Sequence, residues 1–248
     1  MRILNKNRKG DITTPQIVLF IVLVASFVVV LIFLSESNLW GITNKEICHN
    51  SVVLIDKTLG VTGTLDCKTN YLCISGGGDC EATASEKIKI NPENKEEIMK
   101  AIADTMSGCW WMFGEGKLNY GTTEGRSVKY AICSIIEFDG KVQEKIPEIS
   151  YTEFYDYLEK TQKDKSQTYL EYLYGVNKVS SLRYYLIKIN VDQDEIQTNQ
   201  KYSIITGFDD NISPYPDTVL KVYIIPTLET SLRIIQDNLV SKEFITKA

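Results

Sequence analysis

Histidine is almost missing from this chain: His49 is the only one in 248 residues. Serine and cysteine hydrolases need a histidine base beside their nucleophile. His49 stands close behind a greasy segment, and no G-x-S-x-G elbow occurs, so a histidine-dependent hydrolase is not expected. No C-x-x-C occurs either, which argues against a thioredoxin-like redox role. Gly114-Glu-Gly-Lys117 is the nearest approach to a phosphate loop. Leu118 stands where that loop needs a magnesium-binding hydroxyl, and Trp111 where it needs its first glycine. These glycines are read as a turn from helix to strand. Positive charge is in deficit, with 27 Lys and Arg against 32 Asp and Glu, a net of −5. That balance excludes a general nucleic-acid binder. Internal repeats and long linkers are lacking as well. At 44% hydrophobic and 24% charged, the composition is not that of a disordered, collagen-like or coiled-coil chain.

What the chain has instead is an uninterrupted apolar run. Ile17 to Leu34, IVLFIVLVASFVVVLIFL, is 18 residues without a charge, and Ser26 is its one polar member. As a helix it is about 27 Å long, close to the ~30 Å hydrocarbon layer of a bilayer. A helix also satisfies its own backbone, as lipid demands. The expected partition is a cytoplasmic N-terminus at 1–14, a transmembrane helix at 15–35, a juxtamembrane helix at 36–60 and an extracytoplasmic domain at 61–248. Arg2, Lys6, Arg8 and Lys9 precede the run, so the positive-inside rule keeps the N-terminus cytoplasmic. Trp40 sits just beyond the run, at the level of the headgroups. The rival reading is a secretory signal cleaved near Ser35, although no small-x-small site closes the run. Beyond Ser35 there remain 23 basic and 31 acidic residues, a net of −8. An acidic exterior domain does not cling to anionic lipid.

All six cysteines, Cys48, Cys67, Cys73, Cys80, Cys109 and Cys133, follow the run. An even count on the exported side predicts disulfides, with fifteen complete pairings open. Cys73 and Cys80 bracket Ile-Ser-Gly-Gly-Gly-Asp, a turn able to close locally. Cys109 ends a predicted helix and Cys133 lies in a predicted strand, so that pair staples helix to sheet; Cys48 and Cys67 remain. The competing reading is zinc held by Cys67, Cys73 and Cys80 with Cys48 or His49, at a spacing that structural zinc sites do not favour. No cofactor is expected.

Thr43-Asn-Lys-Glu46 reads as a capping box opening a helix whose inner face carries Ile47, Cys48, Ser51, Leu54 and Ile55. Residues 61–90 alternate short β-like pieces with glycine turns. Asn91 as cap and Pro92 at the first helical position open the next helix, with Ile98, Ile102, Thr105, Met106 and Cys109 in one buried stripe. Trp110, Trp111 and Phe113 follow it as core or, if exposed, as a candidate partner surface. From Val128 an interior strand is expected, with Val128, Tyr130, Ile132, Ile136 and Phe138 on one face and Ala131, Cys133 and Ile135 on the other. Asp139-Gly140 reads as a turn. Ser150-Tyr-Thr-Glu153 is a second capping box, and Gly175 ends a short helix over TYLEYLY. β-like runs follow at Arg183–Val191, Lys201–Thr206 and Thr218–Ile225, then a helix carrying Leu228, Leu232, Ile235 and Leu239. Asp209, Asp210, Asn211 and Asp217 form an acidic turn without EF-hand spacing, and Asn211-Ile-Ser213 is a formal glycosylation acceptor. The expected fold is α+β: an N-terminal transmembrane helix, then one exterior domain with a mostly antiparallel sheet and flanking helices.

Two resemblances bear on function. Arg8-Lys9-Gly10 ahead of a long apolar helix resembles the processing site of type IV pilin-like proteins, in which cleavage after the glycine frees a helix that packs into a filament. Pro15 departs from that pattern where many pilins carry Glu. CWWMFGEGK (109–117), CSIIEFD (133–139) and CHNSVVL (48–54) are similar to uncharacterised single-span membrane proteins of small-genome archaea. That resemblance implies an extracytoplasmic disulfide-containing domain and no particular activity. The expected partners are the bilayer and other envelope proteins or further copies of the chain. Alternatives are a pilin-like subunit and an envelope enzyme such as a glycoside hydrolase working through paired carboxylates.

Overall fold

The computed structural model describes residues 14–36, 43–58, 65–80, 84–118, 129–182, 195–208 and 219–227. The chain divides into two compact units, Met1–Thr43 and Asn44–Ala248. Among the described residues the first contains one helix, α1 (Thr14–Glu36). Its side chains are described over 15–29, and its apolar ones stand open on every face, from 46% exposed at Val28 to 69% at Phe20. The Ser26 hydroxyl donates to the Leu23 carbonyl at 2.9 Å, so the one polar side chain is satisfied within the helix. Among the described residues no helix is long and apolar enough to cross a membrane. The end of the apolar run, residues 30–34, lies outside the described side chains.

The second unit runs through α2 (Asn44–Lys57), β1 (Asn70–Ser75), β2 (Glu86–Lys89), α3 (Lys95–Met112), β3 (Lys129–Phe138), α4 (Gly140–Lys145), β4 (Glu148–Ser150), α5 (Tyr151–Lys160), α6 (Tyr169–Tyr174), β5 (Glu195–Gln197), β6 (Tyr202–Phe208) and β7 (Val219–Pro226). The main sheet has the order β2-β1-β3-β6-β7, and β4 pairs with β5 in a two-stranded sheet. β1 is parallel to both β2 and β3, whereas β3–β6, β6–β7 and β4–β5 are antiparallel. The fold is therefore α+β with mostly antiparallel pairing, and β3 is interior as its apolar sequence requires.

α2 belongs to this unit. It buries Cys48, Val52 and Ile55 and leaves Ile47 and Leu54 exposed, so part of the expected inner face points outward. α3 is the central helix. Its stripe Ile98, Ile102, Thr105, Met106 and Cys109 is buried throughout. The helix starts three residues later than expected. Asn91 and Pro92 lie in a turn closed by the Asn94 N–H on the Asn91 carbonyl at 3.0 Å. Asn94 is the cap, its side chain accepting from the N–H groups of Glu96 and Glu97. The Glu97 carboxylate reaches back past the cap to the Asn91 N–H at 2.7 Å, which is why the two asparagines are hard to rank from sequence.

In β3 the expected division of faces fails at one residue. Ile132 pairs with Ile205 but Ser134 pairs with the adjacent Ile204, so Cys133 is a β-bulge. The extra residue shifts the alternation. Ala131 and Cys133 are buried before it and Ile136 and Phe138 after it, while Ile132 and Ile135 are half-buried. At the next strand end, Asp139-Gly140 is not a simple turn: Asp139 caps α4. Ser150 caps α5 as expected, but the Glu153 carboxylate pairs with Lys95 at 2.9 Å. α6 has the full capping box, Thr168 with Glu171, and ends at Gly175 in the left-handed region. The runs at 183–191 and 228–239, the acidic residues 209–211 and 217, and the Asn211 acceptor lie outside the described residues.

The cysteines pair as Cys48–Cys67, Cys73–Cys80 and Cys109–Cys133. This removes the zinc reading, because the three cysteines it needs, Cys67, Cys73 and Cys80, are all in disulfides. Cys109–Cys133 joins the end of α3 to the bulge of β3, as helix-to-sheet stapling requires. In the chain-entropy picture each bridge contributes about 2–4 kcal/mol. Non-reducing peptide mapping should recover these three pairs and no others. Replacing Cys109 and Cys133 together by alanine should lower the unfolding free energy by about 3 kcal/mol, and Ile102→Ala by about 2–5 kcal/mol. Urea unfolding under oxidising conditions measures both; a loss under 1 kcal/mol for Ile102→Ala would mean that α3 does not pack as described.

Candidate functional site

β1 and β3 are parallel neighbours, so their C-terminal ends lie side by side, the place where open α/β sheets bind ligands. Here the chain leaves β1 as Gly76-Gly77-Gly78-Asp79-Cys80 and leaves β3 at Asp139. The Asp139 side chain closes over the glycine loop. One oxygen accepts from the Gly78 N–H at 2.6 Å and lies 2.8 Å from the Ser75 hydroxyl; the other accepts from the Val142 N–H at 2.9 Å. The Gly77 N–H donates to Ser75 Oγ at 3.0 Å, and Lys87 Nζ donates to the Gly78 carbonyl and to Asp79. Gly77 has φ 102°, open only to glycine without strain, and a Cβ on Gly78 would meet Asp139 Oδ2 at 2.8 Å. Burial pushes the Asp139 carboxyl up, but the Val142 N–H, the Ser75 hydroxyl and the N–H groups of Gly78 and Gly76 outweigh it and hold it below the ordinary carboxylate range. The loop thus resembles a phosphate cradle whose anion is already supplied by the chain itself.

A second polar cluster lies past α3. Gly114, Glu115 and Gly116 have φ of 78°, 56° and 71°, three successive left-handed residues, and Glu115 is not glycine. Its carboxylate accepts from the Tyr172 hydroxyl at 2.8 Å and from Lys117 at 2.6 Å, while Lys163 Nζ stands 4.0 Å over the Tyr172 ring. Burial, then the bond and charge of Glu115, push the Tyr172 hydroxyl up, so it stays a neutral donor. Burial pushes Glu115 up, but the bonds from Lys117 and Tyr172 prevail and keep it an anion. This cluster ties the end of α3 to α6 and offers no hydroxyl or thiol activated for attack.

His49 is likewise engaged. Its ring stacks on Trp111 at 4.2 Å with an 11° interplanar angle, and Nδ1 lies 2.8 Å from the Trp111 carbonyl. A carbonyl only accepts, so the proton sits on Nδ1. The aromatic run turns inward rather than forming a partner surface: Trp110 and Phe113 are 3% exposed and Trp111 is half-buried beneath His49. A cavity of about 20 Å³ lined by Leu65, Cys67, Met112, Phe113 and Cys133 has room for one water, far below what a small-molecule ligand needs. Among the described residues no cluster of His, Cys, Asp and Glu is arranged to hold a metal ion. Sequence reading missed Asp139 and Ser75; the available signal was Asp139 followed three residues on by the first buried residue of a helix, Val142.

No family model matches the chain, and no curated protein and no solved structure matches it.

Because the folded carboxyl of Asp139 is held below its unfolded value, its contribution is complete above pH ~4 and is lost as pH falls through the lower folded value. Asp139→Asn should cost roughly 1–3 kcal/mol at pH 7, and the gap between wild type and variant should shrink below pH ~4. Urea midpoints across pH 2–8 test this, and a gap of constant size down to pH 2 would contradict it.

Proposed function

We propose that this chain is a membrane-anchored extracytoplasmic protein whose disulfide-stabilised α+β domain binds a partner or builds a surface assembly. The observation that carries the reading is the fate of the cysteines: all six are in disulfides and none is free. Such bridges persist in oxidising compartments and are rare in reducing ones. The anchor is residues 15–35. Support comes from the uncharged run Ile17–Leu34 and from the apolar side chains of α1, which stand open all round over Ile17–Val29. In water such a surface is an aggregation liability; in lipid it is solvated. Four basic residues ahead of the run set the orientation, N-terminus inside and the second unit outside. The second unit's acidity suits a freely hydrated surface domain and a partner with basic or neutral contact groups.

A pilin-like subunit is the second reading, favoured by Arg8-Lys9-Gly10 directly ahead of the apolar helix. Protease added to intact cells should remove the second unit and leave a membrane-bound stub near 5 kDa, roughly 40 residues; complete protection would refute the orientation. Mass spectrometry of the mature N-terminus separates the two readings, because a start at Asp11 supports the pilin-like subunit and an intact Met1 removes it.

A further inference from the structure

The three disulfides are not equivalent. Cys109 and Cys133 are 1% and 2% exposed, and that bridge is shut away from any reagent. Cys73 is 1% exposed, but its partner Cys80 is half-buried in the glycine loop. Cys48–Cys67 is also buried at one end and half-buried at the other. What sets Cys73–Cys80 apart is its neighbour in the ladder, Glu137. In the parallel β1–β3 ladder Cys73 is in register with Glu137. Register partners project from the same face about 5 Å apart. Cys80 Sγ lies 3.9 Å from the Glu137 carbonyl oxygen, so the bridge lies over β3 at this residue. Glu137 is 9% exposed; its Oε2 pairs with Lys201 at 3.1 Å, but its Oε1 is buried without a hydrogen-bond partner. An unsatisfied buried acceptor costs stability, and Oε1 is the oxygen of Glu137 that is open to take a proton.

We propose that Cys73–Cys80 is a thiol–disulfide exchange site for a partner protein bearing a disulfide or a dithiol, with Glu137 as the proton acceptor for Cys73. It goes beyond the anchored binding protein and does not depend on it. In the oxidising direction the Cys80 thiolate attacks one sulfur of the partner disulfide. A mixed disulfide forms, and the partner's first sulfur leaves as a thiolate that takes up the proton lost by Cys80. Glu137 then accepts the Cys73 thiol proton, and the Cys73 sulfur attacks the Cys80 sulfur. The intramolecular bond forms, the mixed disulfide breaks, and the second partner thiolate leaves, collecting through solvent the proton held by Glu137. Two protein thiols are oxidised and one partner disulfide is reduced to two thiols; run in reverse, a partner dithiol reduces the bridge. Asp139 has its own part. It holds Ser75 and Gly78 by bonds that do not involve sulfur, so Cys80 stays near Cys73 when the bridge is open, and closure remains fast and reversible.

Dithiothreitol serves as the dithiol probe and oxidised glutathione as the disulfide probe, both on the full chain in detergent. Alkylation and peptide mass spectrometry read each cysteine against time. Cys73–Cys80 should open about tenfold or more ahead of Cys48–Cys67, and Cys73→Ser should trap glutathione on Cys80. Glu137→Gln should slow re-closure roughly 100-fold while leaving glutathione capture at Cys80 in the Cys73→Ser background unchanged, a split that a merely structural residue would not produce. The order of opening in the wild-type chain needs no variant. Cys48–Cys67 opening first or together with Cys73–Cys80, or Glu137→Gln affecting both steps alike or neither, overturns the proposal.

Discussion

One joint holds the second unit together: the end of α3 against the centre of β3, closed by Cys109–Cys133. A straight β3 would alternate strictly, and the cysteine at 133 would then share a face with Ile135. The bulge at Cys133 breaks that alternation, so Cys133 itself and Ile136 and Phe138 after it are all buried. The buried stripe of α3 supplies the other half of the joint. Hydrophobic packing gives the bulk of its stability and the covalent bond fixes its register, since a sulfur can be bridged only within a narrow range of Cα separations.

The same strand carries two further constraints at its C-terminal end. Glu137 and Asp139 are two residues apart in sequence but do different things. Asp139 satisfies the loop's N–H groups and caps α4, fixing the exit of β1 relative to the exit of β3. Glu137 leaves one oxygen unsatisfied beside the Cys73–Cys80 bridge.

The proposed extracytoplasmic placement and the proposed exchange chemistry are compatible, because both need an oxidising compartment. Cys109–Cys133 and Cys48–Cys67 close the core of α3 and β3 independently of the glycine loop that Cys73–Cys80 closes.

Local signals in the sequence determined the elements that local chemistry controls. The α3 stripe, the Ser150 cap, Gly175 and the interior character of β3 follow from spacing, a side-chain acceptor and one positive φ, none of which needs a distant partner. The α+β class and the oxidised cysteines were legible for the same reason, the latter from even count and position after the apolar run. Tertiary structure decided what depends on partners far along the chain. The bulge at Cys133 is set by the pairing of β3 with β6; the role of Asp139 by a loop some 60 residues earlier; the inward turn of Trp110 and Phe113 by the sheet beneath them. Asn94 and not Asn91 is the cap because its side chain accepts from the N–H groups of Glu96 and Glu97. The pairing of β4 with β5 joins three-residue strands too short to show a period, so only the packed core around Ile149 and Ile196 brings them together.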